Sequence, residues 1–167
     1  MPHPVVLAIF DDADRAARTA RAMRDLGVPR ERVSIVARSH AQEGAMAAAT
    51  DASPGAEFED SRAASRLGEL SAHLLAAIAM VMPGIGPIVA DGPLAAGLGE
   101  AAGHLAGGIA RMLEFAGLPA AEAADWQSRI ENGAFLLGVH VNDALTESVR
   151  ETMKTNGATQ VAVGTWD

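Results

Sequence analysis

Cysteine is absent from the chain, and its absence excludes disulfides and thiolate-bound metal. That fits a cytoplasmic setting. Tyrosine is missing as well, and aromatic residues make up only 4% of the 167 positions, so any core must rest on close backbone approach more than on large rings. Positive charge is scarce: 13 Lys and Arg face 21 Asp and Glu, a formal charge of −8, and no basic cluster interleaved with aromatics occurs. Phosphate backbones need a cationic surface, so a nucleic-acid partner is not expected. Long hydrophobic runs are lacking too. The longest uncharged stretch, Leu74 to Ala90, falls short of the roughly 20 apolar residues a spanning helix needs and carries Pro83 and Pro87. The opening residues carry no basic stretch of the kind that leads a signal peptide, so export is not expected either.

Catalytic signatures are equally thin. Gly84-Ile-Gly86 has the look of a phosphate loop, but no Lys-Ser or Lys-Thr follows it, and no Gly-x-Ser-x-Gly elbow is present. Asp11, Asp12 and Asp14 could hold a cation, yet acids at a strand-to-helix junction are better explained as caps for free amides. Nothing here points to an enzyme.

Small residues are plentiful. From Ser61 to Gly117 alanine and glycine dominate, broken by Pro83-Gly84-Ile85-Gly86-Pro87 and by Asp91-Gly92-Pro93. Ala64, Gly68, Ala72 and Ala76 recur at every fourth position, as do Ala95, Gly99, Gly103 and Gly107. That spacing predicts two antiparallel helices packed through a glycine zipper and joined by an irregular turn.

On either side of this stretch the pattern is a strand, a helix and a strand. Val5 to Phe10 is a short apolar run, followed by a helix whose Ala13, Ala16, Ala17, Ala20, Met23 and Leu26 share one face, and then by the alternating Arg32 to Ala37. Ala134 to Val141, a helix through Leu145, Val149 and Met153, and Thr159 to Trp166 repeat that order. The halves align as Phe10-Asp-Asp-Ala with Val141-Asn-Asp-Ala, and as Met23-Arg24…Gly27-Val28 with Met153-Lys154…Gly157-Ala158, if one residue is dropped from the second helix. Two such halves predict an α+β, ferredoxin-like (βαβ-βαβ) fold with a four-stranded antiparallel sheet. The expected organisation is 1–38 as the first half, 39–60 as a flexible connection, 61–133 as the inserted helical hairpin plus a short helix, and 134–167 as the second half. Alternation places Ile9, Ile35, Leu136 and Val161 on the sheet face left uncovered by the crossover helices, where they would be exposed unless the insertion or another subunit covers them.

Val5-Val-Leu-Ala-Ile-Phe10 with its capped alanine-rich helix, the Gly/Ala stretch, and Gly117-Leu-Pro-Ala-Ala-Glu-Ala-Ala-Asp-Trp126 leading to Asn132-Gly-Ala-Phe-Leu-Leu-Gly-Val139 together resemble the bacterial general stress protein 17M-like, heat-induced stress protein family. The resemblance covers nearly the whole chain and implies a cytoplasmic, stress-associated protein with no assigned reaction. Trp126 stands where family members often carry Tyr.

Three functional readings follow. The first is a non-enzymatic, stress-associated protein that forms a homo-oligomer through the sheet face, the glycine-striped hairpin, or both. A second rests on Gly68-Glu69-Leu-Ser-Ala-His73 and Gly99-Glu100-Ala-Ala-Gly-His104, where facing helices would converge Glu69, His73, Glu100 and His104 on one divalent metal ion. Helix-supporting Glu/His pairs without metal are the plainer account of the same residues. The third is a peripheral membrane protein inserting the Met80 to Leu94 turn, disfavoured by the charge that Glu69, Glu100 and Arg111 would carry into lipid. His3 and His40 are assigned to flexible ground and His140 to the sheet's second face, none of them to a site.

Overall fold

The computed structural model describes residues 1–38, 78–82, 86–91, 93–94 and 108–167. Among them the order is β1 (His3–Phe10), α1 (Ala13–Asp25), β2 (Val33–Arg38), β3 (Ile78–Met82), β4 (Gly86–Asp91), α2 (Gly108–Phe115), α3 (Ala120–Glu131), β5 (Phe135–His140), α4 (Asp143–Thr155) and β6 (Gln160–Trp166). The connection 39–60, the small-residue positions Ala64 to Ala76 and Ala95 to Gly107, and Glu69, His73, Glu100 and His104 lie outside the described residues.

The strands form a six-stranded sheet in the order β3-β4-β2-β5-β1-β6. Every neighbouring pair is antiparallel. Because β1 and β2 both pair with β5, they run parallel to each other with β5 between them, the arrangement a strand-helix-strand crossover produces. β5 and β6 stand in the same relation around β1.

The two crossover helices are built alike. Asp12 accepts hydrogen bonds from the amides of Asp14 at 2.7 Å and Arg15 at 3.2 Å, and Asn142 accepts one from Leu145 at 3.1 Å. At the first junction Asp12 therefore caps, with Asp14 in the first turn of the helix. At the other end, Gly27 and Gly157 adopt φ of 80° and 93°, so that Val28 N–H bonds back to Met23 C=O and Ala158 N–H to Met153 C=O. This is the Schellman ending, and it requires the left-handed angles glycine supplies. Cap and glycine are separated by the same interval in both halves, 12 to 27 and 142 to 157, so the repeat needs no dropped residue. The sequence alignment mismatched the caps by one, because Asp11-Asp12-Ala and Asn142-Asp143-Ala look alike although Asp12 and Asn142 do the same work.

The expected helical hairpin is corrected at its centre. Ile78–Met82 and Gly86–Asp91 are strands β3 and β4, paired with each other and joined to the main sheet through Ile88 to Asp91 against Ile35 to Arg38. Ile78, Val81, Ile88 and Val89 are β-branched and favour the extended backbone, which the small-residue spacing on either side obscured. Pro87 stands near the start of β4, opposite Val81 of β3 and one residue ahead of the ladder to β2, which begins at Ile88.

Strands β1, β2 and β5 are buried on both faces. α1 and α4 cover Val6, Ala8, Phe10, Ile35, Ala37, Leu137 and Val139. On the other face α2 and α3 lay Ile109, Met112, Leu113, Trp126 and Ile130 over Val5, Leu7, Ile9, Val36 and Leu136. Gln127 pins the two helices together, accepting the Ala110 N–H at 2.8 Å near the start of α2 and donating to Glu131 at 3.0 Å. The face that the crossover helices leave uncovered is therefore filled by helices from the expected insertion, one of the two coverings anticipated for it. Ile35 and Val161 belong to the α1/α4 side, one register step from Ile9 and Leu136.

Two small residues let this second layer come close. Leu94 seats its side chain over Gly138 and Leu7, while its amide bonds the Ser34 hydroxyl at 3.1 Å. On the edge strand, the Ala116 carbonyl lies against Gly164 and accepts the Thr165 N–H at 3.0 Å. A Cβ at 164 would run into that carbonyl, which is backbone and cannot turn aside. Gly164→Ala is expected to lower unfolding free energy by about 2 kcal/mol in urea titrations, the usual scale for overpacking, with α2 and β6 amides losing exchange protection first. Unchanged stability would contradict this docking.

Candidate functional site: a histidine pair at the end of the sheet

Strand pairing decides which side chains meet at the end of β1 and β5. Val5 stands opposite His140, so His3, two residues earlier on β1, shares the face of His140 one diagonal step away. The rings meet. His3 Nε2 and His140 Nδ1 are 2.8 Å apart, with centroids separated by 5.0 Å. His3 Nδ1 lies 3.4 Å from the Met1 carbonyl. β6 brings Trp166 to the same end, edge-on to His140 at 5.6 Å and 88°, and Phe115 from α2 stands edge-on to Trp166 at 5.6 Å.

His3, His140 and Trp166 line a cleft of about 540 Å³ together with Arg32, Pro93, Val141, Asn142 and Asp167. The Arg32 guanidinium has no carboxylate partner among the described residues. His140 is only 3% exposed, and its Nε2 is buried without a hydrogen-bond partner. Burial, then the neighbouring His3, then Arg32 pull its pKa from the ordinary 6.5 down to about 4, so the ring is neutral at physiological pH.

Neither histidine was placed in a site by the sequence. His3 was assigned to flexible ground, but its residues continue the β1 ladder as far as His3 opposite Trp166. His140 does lie on the second face, as expected. The legible signal was the alternation of two strands: once β1 and β5 are paired antiparallel, both imidazoles fall on one face at one end. The four residues proposed for a metal, Glu69, His73, Glu100 and His104, lie outside the described residues, and among the described residues no three His, Asp or Glu side chains gather in a metal-binding group. A second cleft, of about 430 Å³, runs along α1 beside Asp12, Asp14, Arg15 and Arg18. It is polar surface on one helix, with Asp12 already committed to its cap. No helix among the described residues is long and apolar enough to cross a membrane.

No family model, curated protein or solved structure matches the chain.

The depressed pKa carries a sign. The folded state resists protonation of His140, so the unfolded chain binds more protons between pH 6.5 and 4. The contribution is complete above pH 6.5 and drains away as the pH falls to about 4, with His3 and Arg32 the charged neighbours responsible beside burial. Its size is on the order of 2 kcal/mol once solvent at the cleft is allowed for. Urea denaturation across pH 4 to 7 should show a steeper decline for the native chain than for His140→Phe, in which the carboxylates still titrate but this ring does not. Parallel curves would mean that the ring is not held neutral.

Proposed function

We propose that the protein is a non-enzymatic binding module in which a ferredoxin-like frame holds a small-ligand cleft at the His3–His140 end of its sheet. The strand order β2-β5-β1-β6, with a crossover helix inside each half, supports that reading of the frame. What carries the functional reading is one atom. His140 Nε2 is buried and unpartnered, and His140 is one of the residues lining a cleft large enough for a metabolite. Leaving such an atom unsatisfied costs about 1–3 kcal/mol, which a ligand can offset by supplying the missing bond. Catalysis is not part of the proposal, because Arg32, Pro93, Asn142 and Trp166 around the ring include no nucleophile and the ring itself is a weak base.

Kinship with the general stress protein 17M-like family, with its stress association and cytoplasmic location, belongs to the same proposal. It rests on the Gly117-Leu-Pro119 segment and the Gly133 strand, which here join α2 to α3 and lead α3 into β5.

Homo-oligomer formation is a second reading, favoured by a different observation. Val163, on the edge strand β6, is 47% exposed, and Phe115, edge-on to Trp166 of that strand, is 67% exposed. Uncharged from Gln160 to Trp166, that edge suits a second copy of the chain. Light scattering on the eluting protein at low micromolar concentration is expected to give a multiple of the chain mass, reverting to a single chain in Phe115→Ser/Val163→Lys. A native monomer would count against it.

For the cleft, a fragment mixture of anions, cations and neutral compounds is titrated into the full chain and followed by amide and indole NMR. The responding resonances are expected to cluster at His3, His140, Asn142 and Trp166, and to fall silent in Trp166→Ala. Hits scattered over the surface, or none, would overturn the cleft as a binding site.

A further inference from the structure

We infer that the His3–His140 pair is an acid-released latch: when both rings become imidazolium, the end of β1 up to Pro4 comes away from β5 and β6, while the sheet from Val5 inward stays closed. The inference stands whether or not the cleft holds a ligand.

A count of protons carries it, and the count is the same for every tautomer. His3 Nε2 and His140 Nδ1 are 2.8 Å apart, a hydrogen-bond distance, and such a contact holds one proton between two nitrogens. One of the two is therefore bare. With the contact intact, the four ring nitrogens carry three protons at most, and the pair one positive charge, whichever ring bears it. A fourth proton sets two N–H groups and two cations against each other, and the contact breaks.

The surroundings do not relieve this. From the turn ahead of β2, Arg32 adds a third positive charge, close enough to disfavour protonation of His140. Beyond β6, Asp167 lines the cleft and sets one carboxylate against three cations. Pro93, Val141, Asn142 and Trp166 bring uncharged groups to the lining, and Met1 meets His3 through a carbonyl. Burial of His140 works in the same direction.

Burial and backbone decide which partner moves. His140 is buried on β5, between β1 and β2, whereas His3 is half-buried at the end of its strand. Backbone bonding at that end is thin, because Pro2 and Pro4 have no N–H to donate. The register with β5 begins at Val5, and ahead of it the Val141 N–H reaches the Pro4 carbonyl at 3.0 Å. Toward β6 the ladder ends with Pro4 opposite Thr165 and His3 opposite Trp166. From Val5 to Phe10 every residue is fully buried, so the opening stops there.

The test is a titration of the full chain from neutral pH to about 4, following imidazole nitrogens, the Trp166 indole and backbone amides by NMR. As the second ring protonates, the Val141 amide should lose protection by at least about tenfold, the weight of one pKa unit. The His3 amide should become mobile and the indole should shift, with the Leu7 and Leu137 amides still protected. In His3→Phe, which keeps a ring against His140 but cannot gain charge, these local changes should vanish; in Asp167→Asn they should persist. Two imidazolium rings with Val141 still protected would overturn the latch. So would loss of Leu7 and Leu137 protection at the same or a higher pH, which is unfolding of the whole sheet. An unchanged transition in His3→Phe would hand the effect to the carboxylates and overturn it equally.

Discussion

The antiparallel seam between β1 and β5 is the interaction on which the rest depends. It joins residues from opposite ends of the chain, Val5 to His140 and Phe10 to Phe135, in the middle of the sheet. Every other strand is placed by it. β2 lies on the outer side of β5 and β6 on the outer side of β1, and the β3–β4 hairpin extends from β2. Because side chains alternate across a strand, the same seam sends Val5, Leu7 and Ile9 to one layer of helices and Val6, Ala8 and Phe10 to the other. A strand buried on both faces must be apolar throughout, and β1 from Val5 to Phe10 is apolar throughout.

The candidate site is a by-product of that geometry. Past the last covered row, the layer formed by α2 and α3 gives way, and the residues that continue the alternation at the strand ends are His3, His140 and Trp166 in place of aliphatics. They remain partly sheltered by the walls on either side, which is why one imidazole loses its solvent without gaining a full set of partners. Each half of the chain supplies one histidine, so the pair exists only when the halves share a sheet.

Much of the frame was legible before the fold was seen. Apolar runs bounded by Asp12 and Asn142 and closed by Gly27 and Gly157 announce strand, cap, helix and glycine ending with little ambiguity. The region between the halves was harder. Glycine and alanine at every fourth position describe a helix face, but they do not compete with it elsewhere, and Ile78-Ala-Met-Val-Met82 and Pro87-Ile-Val-Ala90 carried a weaker extended signal inside the same composition. The role of α2 and α3 was hidden for another reason. Covering a sheet is a long-range contact, and nothing in Ile109, Met112 or Trp126 says which surface they will meet. The site was missed because His3 and His140 were weighed singly, when only their register relation makes them a pair.

The bond from Thr165 to the Ala116 carbonyl bears on how far copies of this protein can assemble. Along β6, backbone groups facing away from β1 alternate, and this one is already spoken for near the Trp166 end. A foreign strand aligning there finds the rung filled and the Gly117 bend in its way, and among the described residues no such bond blocks the portion from Gln160 to Val163. A ladder that short would hold any strand-to-strand pairing at this edge to a few rungs, well below what open-ended fibril stacking needs.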